Sequence, residues 1–345
     1  MNQMELLIGV SRTFALTIPQ LPEKVKAAVV TAYLLCRIAD TIEDEPTLSL
    51  QGKAIFFSRF ESVIKGVESA EIFSSDLLKC LSQSKKTSEI LLIKYASDVV
   101  NSLYALSKPQ QIAVIQCVTG MLKGMASFQL NNPSPGLVSK KELNTYCYYV
   151  AGIVGEMLTT VFCDYSTAME KQRDQLMPLS RSFGQGLQMT NILKDIWEDL
   201  ENGISWLPRD VFQATGYDLT NLSADQSSNE FNAGINILIE QACNHLYDAM
   251  RYTQLVPANE TGIRKFCYQS IGMAVLTLRN IYYSPGYQNG NRVKISRKNV
   301  RTVVWLSQFA ASSDRAMNSL FKMAVRNLRK PEYNQAKHNQ GCKEK

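Results

Sequence analysis

Apolar residues recur every three or four positions along almost the whole chain. Ala28, Thr31, Ala32, Leu35 and Ile38 form one such run, and Met317, Leu320, Phe321, Ala324 and Leu328 another. This spacing lays side chains on one stripe of an α-helix, and the alternating runs that a half-buried strand needs are scarce. Turn-forming residues break the pattern at Pro19 to Pro22, Glu45-Pro46, Asn131 to Gly136, Gly203 to Pro208, Leu219 to Asn229 and Ser284 to Asn291. These breaks have loop length, none is a linker, and no tandem repeat stands out. The pattern predicts an all-α protein with one helical domain over residues 1–330 and a polar, basic tail over 331–345.

Charged or strongly polar residues interrupt each apolar stretch before the ~18–20 residues of a bilayer crossing. The longest stretches, 109–122, 143–155 and 266–278, suit core helices. The opening MNQMELLIGVSRTF has no basic n-region or small-residue cleavage site. Eight cysteines are scattered among apolar neighbours without a CxxC pair, which predicts buried thiols in a reducing compartment and a cytoplasmic protein. Cys342 lies four from the end, but charged residues follow it and argue against prenylation. His245 and His338 are the only histidines, too few for a zinc site or a His-based triad.

Charge is unevenly placed. The 345 residues hold 37 Lys/Arg and 31 Asp/Glu, a net +6, yet residues 291–345 hold 13 against 3 and residues 1–290 hold 24 against 28. A basic end suits anionic lipid, nucleic acid or a phosphorylated cofactor, and composition does not choose among them.

Two acidic segments carry the chemistry. Asp40, Glu43 and Asp44 form a DxxED pattern, and Asp195, Glu198 and Asp199 repeat it 155 positions later. Residues three and four apart share a helix face, so each segment clusters carboxylates at a cost to its helix. Tyr33 and Arg37 extend the first stripe, and Gln188 and Asn191 the second. Two such helices, packed antiparallel or side by side, would face their carboxylates across a bundle interior. A single acidic motif is usually a solvated face. The pair instead fits Mg²⁺ holding a diphosphate, because Mg²⁺ takes one or two carboxylates per ion and completes its shell with water and phosphate oxygens.

On these residues the chain resembles the squalene and phytoene synthases, all-α isoprenoid enzymes that join two prenyl diphosphates head to head. The likeness runs from Ser11 to about Arg301. It implies a helical bundle around a central hydrophobic cavity, with Asp40, Glu43, Asp44, Asp195, Glu198 and Asp199 as Mg²⁺ ligands. Ser11-Arg12-Thr13-Phe14 resembles a family element that contacts a diphosphate, and Tyr33, Arg37, Gln188 and Asn191 match positions lining the substrate site. Lys194 stands where many relatives carry Arg, and Trp206 or a neighbour would wall the pocket. Tyr146-Cys147-Tyr148-Tyr149-Val150-Ala151-Gly152 is nearer the squalene synthase form, which gives Tyr146 the role of proton acceptor or cation stabiliser. Gly152 and Gly155 suit close helix approach or room for a polyprenyl chain, and Gly184 close packing.

Val293-Lys294-Ile295-Ser296-Arg297-Lys298 resembles a squalene synthase stretch associated with NADPH, with Ser296 as an insertion. Lys294 and Arg297 are its cofactor candidates. The basic stretch Arg315 to Lys330 reads as a packed terminal helix, the alternative being one lying on a membrane. The resemblance thus implies two farnesyl diphosphates as substrates, Mg²⁺ and NADPH as cofactors, and squalene as product. No nucleic-acid partner is expected, the oligomeric state is left open with a monomer favoured, and a greasy substrate and product predict loose attachment to the inner membrane surface. Without the C-terminal span of eukaryotic squalene synthases, the chain looks bacterial in type. The alternatives are a product made without the hydride (dehydrosqualene, phytoene or presqualene diphosphate), a terpene cyclase, and a non-catalytic assembly protein on the same fold.

Overall fold

The computed structural model describes residues 2–11, 13–82, 86–131, 135–223 and 228–328. The 331–345 tail, with Cys342 and His338, lies outside them, as does Arg12.

Helices account for most of the described chain. The first part holds α1 (Gln3–Val10), α2 (Phe14–Thr17), α3 (Glu23–Glu43), α4 (Leu50–Ile64), α5 (Ala70–Cys80), α6 (Thr87–Lys94), α7 (Ala96–Tyr104) and α8 (Lys108–Asn131). Next come α9 (Lys140–Cys147), α10 (Ile153–Tyr165), α11 (Thr167–Glu170), α12 (Arg173–Glu201) and α13 (Arg209–Ala214). The last part holds α14 (Asn229–Leu255), α15 (Thr261–Tyr283), α16 (Gly290–Val293), α17 (Arg297–Ala310) and α18 (Asp314–Val325). The predicted all-α class is the one observed.

Local chemistry explains where helices begin. Ser49, Ser69, Ser139, Ser228, Ser296 and Ser313 are N-caps whose hydroxyls accept the N–H three residues on. Such a cap contributes about 1 kcal/mol by satisfying an N–H the helix leaves unpaired. Ser296 is therefore the residue that starts α17. Helix α12 stops at a Schellman motif: Gly203, at φ 75°, donates to Leu200 O and Ile204 N–H donates to Asp199 O. Glycine takes this left-handed conformation without steric cost. Asp199 consequently lies in the last turn of its helix.

The buried apolar side chains form a continuous cluster from Leu6 to Leu328. Helix α3 packs on α8, α7 and α10, and α12 packs on α14, α10 and α15. Both acidic helices thus pack on α10, which the two share as a neighbour. Added Cβ atoms on Gly155 and Gly184 would collide with the carbonyls of Ser180 and Ala151, so these glycines let α10 and α12 meet backbone to backbone. Between α9 and α10 the chain widens into a π turn over Tyr148–Gly152. The continuous run Lys140–Tyr165 is long and apolar enough to cross a membrane by length and composition, longer than the stretch 143–155 suggested. Here it packs against α8 and α12 inside the bundle.

Candidate active site

A cavity of about 480 Å³ opens between α3, α8, α10, α12 and α15. Tyr33, Arg37, Asp40, Glu43 and Asp44 line it from α3 and its cap, and Gln188, Asn191, Lys194, Asp195 and Asp199 from α12. Both polar stripes read from the helical repeat therefore reach the same space. The rest of the wall is largely apolar, with Phe14, Met121, Met125, Val154, Leu158 and Phe266 among its residues.

Both acidic segments sit at helix C-termini, Asp44 being the C-cap of α3 and Asp195 and Asp199 lying in the last two turns of α12. The partial negative charge of the exposed carbonyls there adds to that of the carboxylates. Burial raises Asp40 to about 6, against the pull of Arg37. Burial, with Asp195 and Asp44 nearby, raises Asp199 to about 7. Burial, and then Asp44 and Asp40, pushes Glu43 well above the usual carboxylate range. Asp195 is raised by burial as well. Asp199 feels Asp44 and Glu43 feels Asp199, so the two segments interact across the cavity.

This donor set fits a divalent cation. Glu43 Oε1 is buried and has no hydrogen-bond partner, whereas its backbone carbonyl is taken by Lys53 Nζ and by Gln129 Nε2 at 3.2 Å. Among the described residues no three His, Cys, Asp or Glu side chains already converge as a metal cage. Mg²⁺ with one or two carboxylates per ion does not require one.

The other predicted site residues fall into distinct places. Tyr146 is 4% exposed, stacks on Trp206 with ring centroids 3.7 Å apart and meets Phe128 edge-on. Burial, then Glu43, raises its hydroxyl well above the usual tyrosine value, so it stands neutral beside the acidic cluster. Ser11 is buried, accepts the Phe14 N–H at 3.0 Å and is hydrogen-bonded to Tyr33, but it does not line the cavity. Thr13 is exposed at the start of α2.

Glu198 is placed differently from the expectation of a metal ligand. Its carboxylate accepts the Gly290 N–H at 2.9 and 3.2 Å, and it is not part of the cavity wall. A Cβ on Gly290 would come within 2.8 Å of Lys194 O and 3.1 Å of Asp195 Oδ1, so this loop lies directly on the second acidic segment. Trp197 Nε1 and Tyr287 complete the staple, Trp197 donating to the Tyr287 carbonyl and the Tyr287 hydroxyl to Leu193 O. The staple brings Lys294 close enough to favour the ionised form of Asp195. Lys294 and Arg297 are both exposed and stand outside the cavity wall.

Sequence reasoning missed Glu89. This α6 residue is 6% exposed and holds the Arg37 guanidinium at 2.6 Å, while Asp40 lies 3.5 Å away. A lone glutamate 52 positions away carries no motif that announces the pair. The structure also joins Ser182 to His245 Nδ1 at 2.8 Å and to Asp248 Oδ2 at 3.0 Å. The acid binds the serine rather than the second imidazole nitrogen, so this is a tie between α12 and α14, not a nucleophile relay.

Comparison with known proteins decides the kinship: the squalene/phytoene synthase family model matches residues 7–299. The chain belongs to that family. It is 30% identical over 292 residues to squalene synthase ERG9 of Candida albicans, covering 83% of this chain and 62% of that protein. It is 29% identical over 297 residues to the squalene synthase of Schizosaccharomyces pombe, covering 85% of this chain and 62% of the relative. The chain thus spans about six-tenths of the length of these curated relatives. Among solved structures, TcSQS in complex with a ligand superposes with a TM-score of 0.75 at 22% identity, over 94% of this chain and 90% of that one. A dehydrosqualene synthase with a ligand gives 0.62 at 20% identity, over 89% and 94%. The fold is therefore the isoprenoid synthase bundle. The family is one of prenyltransferases that act on prenyl diphosphates and typically use Mg²⁺.

Proposed function

We propose that this chain condenses two farnesyl diphosphates head to head and reduces the product to squalene with NADPH. The observation that carries this reading is the meeting of two acidic helix C-termini at one apolar cavity. Asp40, Glu43, Asp44, Asp195 and Asp199 would hold Mg²⁺, which when bound neutralises a departing diphosphate. Arg37, held by Glu89, and Lys194 add positive charge to the same cavity from α3 and α12. The apolar wall keeps water from a prenyl cation once the carbon–oxygen bond has broken.

Tyr146 and Trp206, stacked on each other, both line that space, where a π-system stabilises a cation without capturing it. A neutral Tyr146 hydroxyl suits this role better than that of a resident base. In the first half, one donor loses diphosphate, its carbon alkylates the acceptor double bond, and loss of a proton closes the cyclopropane of presqualene diphosphate. In the second half, a second diphosphate leaves and a hydride quenches the rearranged cation. Lys294 and Arg297 flank the N-cap of α17 and by charge would hold the phosphate of NADPH, which when bound would supply that hydride.

A second reading stops before the hydride, at dehydrosqualene or presqualene diphosphate. It is favoured by the position of Lys294 and Arg297 outside the cavity wall. Incubation with farnesyl diphosphate and Mg²⁺, with and without NADPH, followed by mass analysis of extracted lipids, separates the two. Squalene only with NADPH is the expected result. The same product in both tubes would transfer the assignment to the second reading, and unconsumed substrate would sink both.

A further inference from the structure

The last two described helices carry a surface that the chemistry above leaves unused. On α17, Val303, Ser307 and Ala310 are buried, while Lys298, Arg301, Trp305 and Phe309 follow at three- and four-residue steps on the opposite stripe. Trp305 is 61% and Phe309 65% exposed, with their rings 4.8 Å apart. The other two tryptophans, Trp197 and Trp206, are buried. An aromatic pair left in water on a helix already packed by its other face marks a contact surface.

Helix α18 repeats the arrangement. Met317, Phe321 and Val325 face inward, and Arg315, Lys322, Met323 and Arg326 are exposed. Its start is fixed to the core by the ion pair between buried Arg264 and Asp314. Residues 297–328 hold six Lys/Arg and one acid, and that acid is Asp314.

We propose that α17 docks the protein on an anionic lipid surface, with Trp305 and Phe309 entering the headgroup boundary and Lys298 and Arg301 meeting lipid phosphates. This rests on the surface alone and stands whether or not the proposed reaction does. Amphipathic helices of this kind lie in the interface plane, aromatic rings settling at headgroup depth and basic side chains drawn by the anionic leaflet. Contact between two copies through this face would set cations against cations. Duplex nucleic acid would meet the charge without giving the aromatic stripe an apolar place to go, its bases being stacked inside.

The test is sedimentation of the full chain with vesicles of phosphatidylcholine alone, or of phosphatidylcholine and phosphatidylglycerol in equal parts. The protein is expected to pellet with the anionic vesicles only, to be released by high salt, and to lose Trp305 accessibility to acrylamide when bound. Trp305→Ser with Phe309→Ser, and separately Lys298→Glu with Arg301→Glu, should each lower the partition coefficient about tenfold or more with unchanged far-ultraviolet circular dichroism. Failure to bind anionic vesicles overturns the proposal, as does binding that neither double variant weakens. Conversion of an oligomer to a monomer by the aromatic double variant, with vesicle binding intact, would reassign the face to contact between copies. Loss of duplex DNA binding in the charge variant, with vesicle binding intact, would reassign it to nucleic acid.

Discussion

The two DxxED segments share a spacing and a place at the end of a long helix, yet their middle glutamates have different partners. Glu43 is buried in the cavity wall with an oxygen left without a hydrogen-bond partner, and Glu198 is spent on the Gly290 N–H. The neighbouring cations differ in the same way. Arg37 is held from outside its helix by Glu89, and Lys194 pairs with Asp195, its own neighbour, at 2.9 Å. One segment is a buried, braced wall, while the other is stapled to a loop that leads to the basic C-terminal helices. Identical spacing therefore does not imply identical surroundings: all three acids of the first segment line the cavity, whereas in the second only Asp195 and Asp199 do and Glu198 ties a loop.

The largest effect should come from the aspartates the two segments have in common. Asp40→Asn and Asp195→Asn are each expected to cut turnover by about a thousandfold while leaving helicity unchanged, since each removes a charge set for the transition state. Steady-state kinetics with circular dichroism checks this, and near-normal turnover in either variant would remove that segment from the site. The middle positions sharpen the comparison. Glu43→Gln should lower kcat about a hundredfold, and Glu198→Gln less than about tenfold, because the latter is a loop tie. Equal losses would show that Glu198 works as Glu43 does.

The smallest effect is on stability and follows from the raised carboxylates. Asp40 at about 6 and Asp199 at about 7 bind their protons more tightly in the folded chain than at the ordinary 3.8. Their ionisation therefore opposes folding: the penalty is absent below about pH 4, grows between about 4 and 7, and is complete above that range. In the metal-free chain this contribution should lower Tm as the pH rises from about 5 to about 8, and Mg²⁺ should flatten the slope. Thermal melts in chelator and in Mg²⁺ at both pH values measure it. A slope that Mg²⁺ leaves unchanged would separate these carboxylates from metal binding.

By itself the sequence determined what repeats locally along the chain. Helix class, breaks and the two polar stripes follow from side chains three and four apart, and ten residues of those stripes and their flanks line one cavity. Ser296, which the family pattern makes look like an insertion, is the N-cap of α17. What the tertiary structure decided are the pairings between distant segments: Glu89 with Arg37, Gly290 with Glu198, Trp206 on Tyr146, and α10 packed on both acidic helices. The reason is physical. A helical stripe is written in neighbouring positions, whereas a buried charge or ring takes whatever partner the packing brings to it from residues far along the chain.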